Sequence, residues 1–248
     1  MQEYWERYMK PIEGHPAIVS FNAGVADNVP DTTLMYVGFV KVLLQQPKEN
    51  GLITDEESDD IAAVEDRLEM ESLRYRSGKY IGRIITQGTV HFIYYLKLNF
   101  EWSDTVAAAM NKFLQYDYEC GSRDDASWEV YSNLLFPTTK EWQIIVNHHA
   151  CKRLEEQGDN LHVKRAIEHT MYFQTMEERT ECSQCIEAEG FTIQQKAHDT
   201  DNDYYTLRFY RMDAPYYYDI DAITIQLIDL GEKFRGEYDG WESSLVKK

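Results

Sequence analysis

The chain has 248 residues, 43% of them hydrophobic, enough for one large core or two small ones. Asp and Glu number 43 against 25 Lys and Arg, a net charge of -18 that disfavours direct binding to nucleic-acid backbones and favours a partner with a basic surface. No stretch approaches the roughly 18 uninterrupted apolar residues of a membrane span, the opening Met-Gln-Glu-Tyr-Trp-Glu-Arg-Tyr lacks the layout of a signal peptide, and four cysteines are too sparse for a secreted disulfide framework, so a cytoplasmic protein with free thiols and no membrane contact is expected.

An aromatic strand at Tyr4 to Met9, a turn at Glu13-Gly14 and an apolar strand at Ala17 to Phe21 predict a hairpin. Leu34 to Leu44 reads as a third, largely buried strand. Thr54 is placed as an N-cap with Glu57 as its capping-box partner, and Ile61, Val64, Leu68 and Leu73 keep a helical spacing toward the core. Lys79 to Thr86 and Thr89 to Leu98 flank Gln87-Gly88 as a second hairpin. A helix follows Ser103, carrying Val106, Met110, Phe113 and Leu114, and short strands are expected near Tyr116 to Cys120 and Trp128 to Leu134.

Phe136-Pro137-Thr138-Thr139 marks a boundary between a first domain, 1–137, and a second, 138–248, whose leading helix Lys140 to Gln157 presents Trp142, Ile145, Val146, His149 and Leu154 for packing between the halves. The second half continues as a strand (Lys164 to Phe173), a helix (Met176 to Glu189), a hairpin (Phe191 to Ala197 and Tyr204 to Arg211), a helix (Asp219 to Phe234) and a last strand (Glu237 to Trp241). The order βαββαβ predicts an α+β fold of ferredoxin-like type, an antiparallel sheet with helices on one face. The first half repeats that order behind an extra hairpin, so two such sandwiches in tandem are expected.

Catalytic signals are weak. Cys182-Ser183-Gln184-Cys185 stands alone in a predicted helix, without the second pair a zinc site needs or the helix N-terminus a reactive thiolate needs. His148 and His149 diverge by about 100° around a helix, so they do not converge with Cys151 on one ion. There is no nucleophile elbow, phosphate loop or His-Glu-x-x-His helix. Asp199, Asp201 and Asp203 read as a solvated turn, lacking the Gly and Glu of a calcium loop. Tyr204, Tyr205, Phe209 and Tyr210 could stack bases, but the surrounding acidity favours sheet packing. No cofactor is expected. Tyr238, Asp239, Gly240 and Trp241 fit two readings, a glycine bulge with a core-closing Trp or an interface hot spot.

Gly158-Asp159, Ile167-Glu168-His169, Gly190-Phe191 and Glu232-Lys233-Phe234 followed by Glu237-Tyr238-Asp239-Gly240-Trp241 together resemble, in order and spacing, the regulator of ribonuclease E activity B (RraB) family, over roughly Gln157 to Ser243. Trp5, Tyr8, Gly14-His15-Pro16 and Leu135 to Thr138 resemble a family of unknown function, domain-of-unknown-function family 695. The resemblance implies a non-enzymatic, acidic, ferredoxin-like module that binds ribonuclease E and restrains its activity. The candidate partner-binding residues are Tyr238, Asp239, Gly240, Trp241, Glu168 and His169. This chain closes on Leu245-Val246-Lys247-Lys248, where the family pattern carries a strongly acidic tail. The alternative expectation is an enzyme, or a small-molecule or metal-binding protein, with a cleft between the domains.

Overall fold

A computed structural model describes residues 4–75 and 78–247. Its internal contacts divide the chain into two units, Met1–Glu141 and Trp142–Lys248. Each is an α+β assembly with its own antiparallel sheet.

The first unit runs β1 (Trp5–Ile12), β2 (His15–Asn22), β3 (Tyr36–Leu43), α1 (Asp55–Tyr75), β4 (Gly78–Thr86), β5 (Thr89–Leu96), α2 (Trp102–Met110) and β6 (Tyr118–Asp124). The strands form a six-stranded sheet in the order β1-β2-β4-β5-β3-β6. The β4–β5 turn places Gln87 and Gly88 at φ +49° and +71°, the left-handed pair whose twist matches the flanking strands. Ile61, Val64 and Leu68 of α1 and Trp102 and Val106 of α2 bury against Phe92, Tyr94 and Leu96 on one sheet face.

Several expectations are corrected here. Leu73 is 66% exposed, because the stripe Ile61, Val64, Leu68 continues at helical period to Glu71 and Ser72, both 1% exposed. α2 ends at Met110, leaving Leu114 outside the helix and 89% exposed. The capping box of α1 does not form. Thr54 Oγ1 has no hydrogen-bond partner among the described residues, while Glu57 accepts from the backbone N–H groups of Gln45 at 2.6 Å and Gln46 at 3.0 Å. The expected strand at Trp128 to Leu134 is helical, ending in a wide turn over Tyr131–Leu135. Trp128 stacks on Tyr95 with ring centroids 3.7 Å apart, and Tyr131 and Phe136 pack near Phe21. This segment therefore covers the sheet face turned away from α1 and α2, so the first unit is not covered on one face alone.

α3 (Thr139–Glu156) starts just before the division and runs into the second unit, launched by a reciprocal capping box in which Thr138 and Glu141 each accept the other's backbone N–H. Its buried residues are Ile145, Asn147 and Cys151, while Val146 and His149 of the expected apolar stripe are exposed. There follow β7 (Arg165–Phe173), α4 (Met176–Ala188), β8 (Thr192–Asp199), β9 (Tyr204–Asp213), α5 (Tyr217–Lys233) and β10 (Glu237–Ser243). Every strand pairing is antiparallel and the order is β10-β7-β9-β8. β7 alternates strictly, its odd-numbered residues buried and its even-numbered ones half-buried. Met171 and Phe173 of β7 and Leu207 and Phe209 of β9 pack with Cys182 and Ile186 of α4 and Ile223 and Leu227 of α5. Glu168, Thr170 and Tyr172 are left on the other face.

Candidate functional site

β10 pairs Tyr238 with Met171 and Trp241 with His169, and its register slips so that Asp239 is an extra residue. Residues three apart on an unbroken strand point to opposite faces. The bulge returns both aromatic side chains to the helix-covered side. Gly240 takes φ +136°, and a Cβ there would meet nothing within 4 Å, so backbone conformation rather than space calls for glycine.

Of the six candidate residues, His169 lies deepest, 1% exposed. Its Nδ1 is 2.9 Å from the Tyr238 hydroxyl, its ring stacks on Phe209, and Phe191 meets it edge-on. Nε2 has no partner among the described residues. Burial, assisted by the Arg211 charge, pushes its pKa down to about 3, which keeps the imidazole neutral. Burial likewise holds the Tyr238 hydroxyl protonated.

Trp241 is half-buried against Cys151, Leu161, Ile167 and Ile220. Its indole Nε1–H donates to Asn147 Oδ1, which also receives Gln143 Nε2–H, both at 2.8 Å. Asn147 Nδ2 donates to Asp221 Oδ1 at 2.9 Å and to Thr224 Oγ1 at 2.8 Å. Every hydrogen-bonding position of this fully buried amide is filled, tying α3, α5 and β10 together. Neither Asn147 nor Asp221 was anticipated as part of a site. The available signal was an amide four residues before Cys151, on the same side of the helix.

Asp239 and Glu168 behave differently. With Thr170, Tyr172, Tyr204, Thr206, Arg208, Gly240 and Glu242 they line a groove of about 490 Å³ on the sheet face away from α4 and α5, flanked by Val146, Ala150 and Arg153 of α3 and by Trp241. The Tyr172 hydroxyl donates to Asp239 at 3.3 Å, and the Tyr172 and Tyr204 rings meet edge-on at 4.9 Å. Arg208 pairs with Glu242 at 2.7 Å. No ion pair or hydrogen bond engages the Glu168 carboxylate among the described residues.

The remaining motifs are structural in placement. Burial pushes the thiols of Cys151 and Cys182 each up to about 12, so both stay protonated. His148 pairs with Asp221 at 2.8 Å while His149 is exposed. Among the described residues no group of three or more His, Cys, Asp or Glu is placed to hold a metal ion. Asp199 accepts from the backbone of Asp201 and Asn202, closing its own turn. Phe209 enters the core and Tyr205, on the same face, packs against it while stacking on His198, whereas Tyr204 lines the groove on the other face, so strand alternation divides the aromatic cluster.

Comparison with known proteins fits this division of the chain. The model of a family of unknown function (DUF695) matches residues 3–136, more than half of the chain, and that of Regulator of ribonuclease activity B matches residues 144–243. Both fall where the sequence resemblance put them. No curated protein matches. Among solved structures, an unknown protein from Galdieria sulphuraria is 8% identical with a TM-score of 0.25, covering 85% of this chain and 99% of its own. A hypothetical protein is also 8% identical, with a TM-score of 0.23, covering 98% and 100%. The chain belongs, through its first half, to the DUF695 family of unknown function, and its second half matches the Regulator of ribonuclease activity B family.

Proposed function

We infer that this chain is a non-enzymatic regulator that binds a ribonuclease, of ribonuclease E type, through its second unit, and lowers its activity. The observation that carries this reading is the Regulator of ribonuclease activity B match over residues 144–243. The groove lined by Glu168, Asp239, Gly240 and Trp241 supplies a surface for it. Exposed carboxylates on α4, among them Glu177, Glu181 and Glu187, extend the negative field. Basic RNA-binding segments of a nuclease attract such a surface as they attract RNA, with fast, salt-sensitive association.

The architecture is consistent with ferredoxin-like units. Numbered within the second unit alone, β10-β7-β9-β8 is the order 4-1-3-2 of a split βαβ pair. In the first unit β6-β3-β5-β4 repeats it, with β2 and β1 added beside β4. We read the two halves as separable near residues 137–142, in keeping with the division at Glu141. Limited proteolysis tests that point. No helix among the described residues is long and apolar enough to cross a membrane, and a regulator of ribonuclease E would act where that enzyme works, in the cytoplasm.

The deciding experiment mixes the purified full chain with purified ribonuclease E and measures complex formation and RNA cleavage. A complex with slowed cleavage is expected. It should weaken as ionic strength rises from about 0.05 to about 0.5 M, where the Debye length falls from about 14 to about 4 Å. Unchanged cleavage with no complex at low salt removes the reading.

A further inference from the structure

We propose that the groove on the open face of the second unit's sheet seats an extended basic segment of a protein partner, with two cationic side chains four residues apart. This deepens, and rests on, the reading of the chain as a protein-binding regulator.

Glu168 and Tyr172 point to the same side of β7 four residues apart, about 13 Å at roughly 3.3 Å per residue. At one end lies the half-buried Glu168, whose carboxylate meets no ion pair or hydrogen bond among the described residues, although partial burial of the residue removes some of its water. An incoming guanidinium or ammonium restores what that burial took away. At the other end Asp239 lies beside the edge-on pair of Tyr172 and Tyr204, rings plus carboxylate, the combination that holds a planar cation. Between the ends the floor is made of Thr170, Thr206 and Gly240, small enough for a peptide backbone to lie flat. The Arg208 charge is already met by Glu242 at 2.7 Å. Arg153, on the α3 wall, opposes the ligand and sets a limit on affinity. The same two rings could stack nucleobases, but Glu168, Asp239 and Glu242 would stand against the phosphates, so the groove favours a basic peptide over RNA.

The test uses the full chain and a labelled peptide, Ser-Arg-Gly-Ser-Gly-Arg-Ser, in fluorescence anisotropy at low salt. Saturable binding is expected, weakened about fivefold or more by Glu168→Gln and by Asp239→Asn, each of which exchanges one charge-assisted contact for a neutral one. It should be tightened by Arg153→Ala and unmoved by Glu181→Gln on α4. A peptide with citrulline for both arginines should not bind, and this arm needs no substitution in the protein. Binding indifferent to Glu168→Gln and Asp239→Asn, equal binding of the citrulline peptide, or binding of a single-stranded oligonucleotide in place of the peptide would each overturn the proposal. Ribonuclease captured without peptide binding sinks the groove and spares the regulator reading. Peptide bound in the groove with ribonuclease ignored does the reverse.

Discussion

The indole of Trp241 donates to the side-chain carbonyl of Asn147 at 2.8 Å, and through that single buried amide the last strand of the fold is fastened to α3 and α5. The terminal motif thus has a structural task of its own. Trp241→Ala should cost about 2–4 kcal/mol of folding stability, the lower part of the range for a large core aromatic because the ring is half-buried. Trp241→Phe should cost less, since Gln143 still donates to Asn147 Oδ1. Urea unfolding of the two variants reads the difference. Equal midpoints for Trp241→Ala and the parent chain would show that the indole closes no core.

His169 makes stability depend on pH. Its pKa is about 3 in the folded chain, against about 6.5 when unfolded, so between those values the unfolded state binds more protons. Stability is therefore unaffected by this group above about pH 6.5 and falls as pH drops from there toward 3, by up to about 1.4 kcal/mol per pH unit. His169→Gln, which can keep a hydrogen bond to Tyr238, should flatten the curve relative to the parent chain between about pH 4.5 and 6.5. Parallel curves would mean that the imidazole titrates normally.

Much of the architecture was readable because β7 shows the period of two along its whole length, and two of the three hairpin turns carry glycine at positive φ, Gly14 and Gly88, while Asp203 takes that conformation in the third. What escaped has particular causes. Trp128, Tyr131 and Leu135 follow a helical spacing, but their aromatic and apolar character suggested a strand. A glycine bulge is one of the two readings of Tyr238 to Trp241; what strand alternation alone does not give is that the extra residue, Asp239, puts Tyr238 and Trp241 on one face. α3 buries Asn147 rather than Val146 because four partners satisfy the amide, and three of them, Asp221, Thr224 and Trp241, come from distant parts of the chain. His169 drew notice as a polar motif residue, yet its surroundings are Phe191, Phe209 and Tyr238. Among the candidate residues, Glu168 and Asp239 offer charge to the groove, while Tyr238 packs against the core shared with α4 and α5 and His169 is buried beside it.

Thr54 and Glu57 invert the roles their spacing suggests. Thr54→Ala should change stability by less than about 0.5 kcal/mol, since its hydroxyl has no partner, where a working N-cap would cost about 1. Glu57→Ala removes the acceptor for the backbone N–H groups of Gln45 and Gln46 and should cost about 2–4 kcal/mol. Thermal melts of the two variants decide it. A larger loss for Thr54→Ala would restore the capping box.

Arg165 and Asp159 carry the last prediction. Their side chains are 5% and 4% exposed as residues and meet at 2.9 Å, while Asp159 Oδ2 accepts the backbone N–H of Val246 and Arg165 Nε donates to Ser243 Oγ at 2.7 Å. The pair thus fastens the chain entering β7 to the segment that follows β10. Removing one member strands a buried charge, so Arg165→Met and Asp159→Asn should each cost about 3–5 kcal/mol. The double variant removes both charges together and should cost clearly less than the two single losses combined, because the residues share one interaction. Hydrogen exchange adds a local readout, in which the Val246 amide loses protection in Asp159→Asn through its missing acceptor. Additive losses in the double variant would show that the two residues act separately, and an unchanged Val246 amide would show that Asp159 does not anchor the final segment.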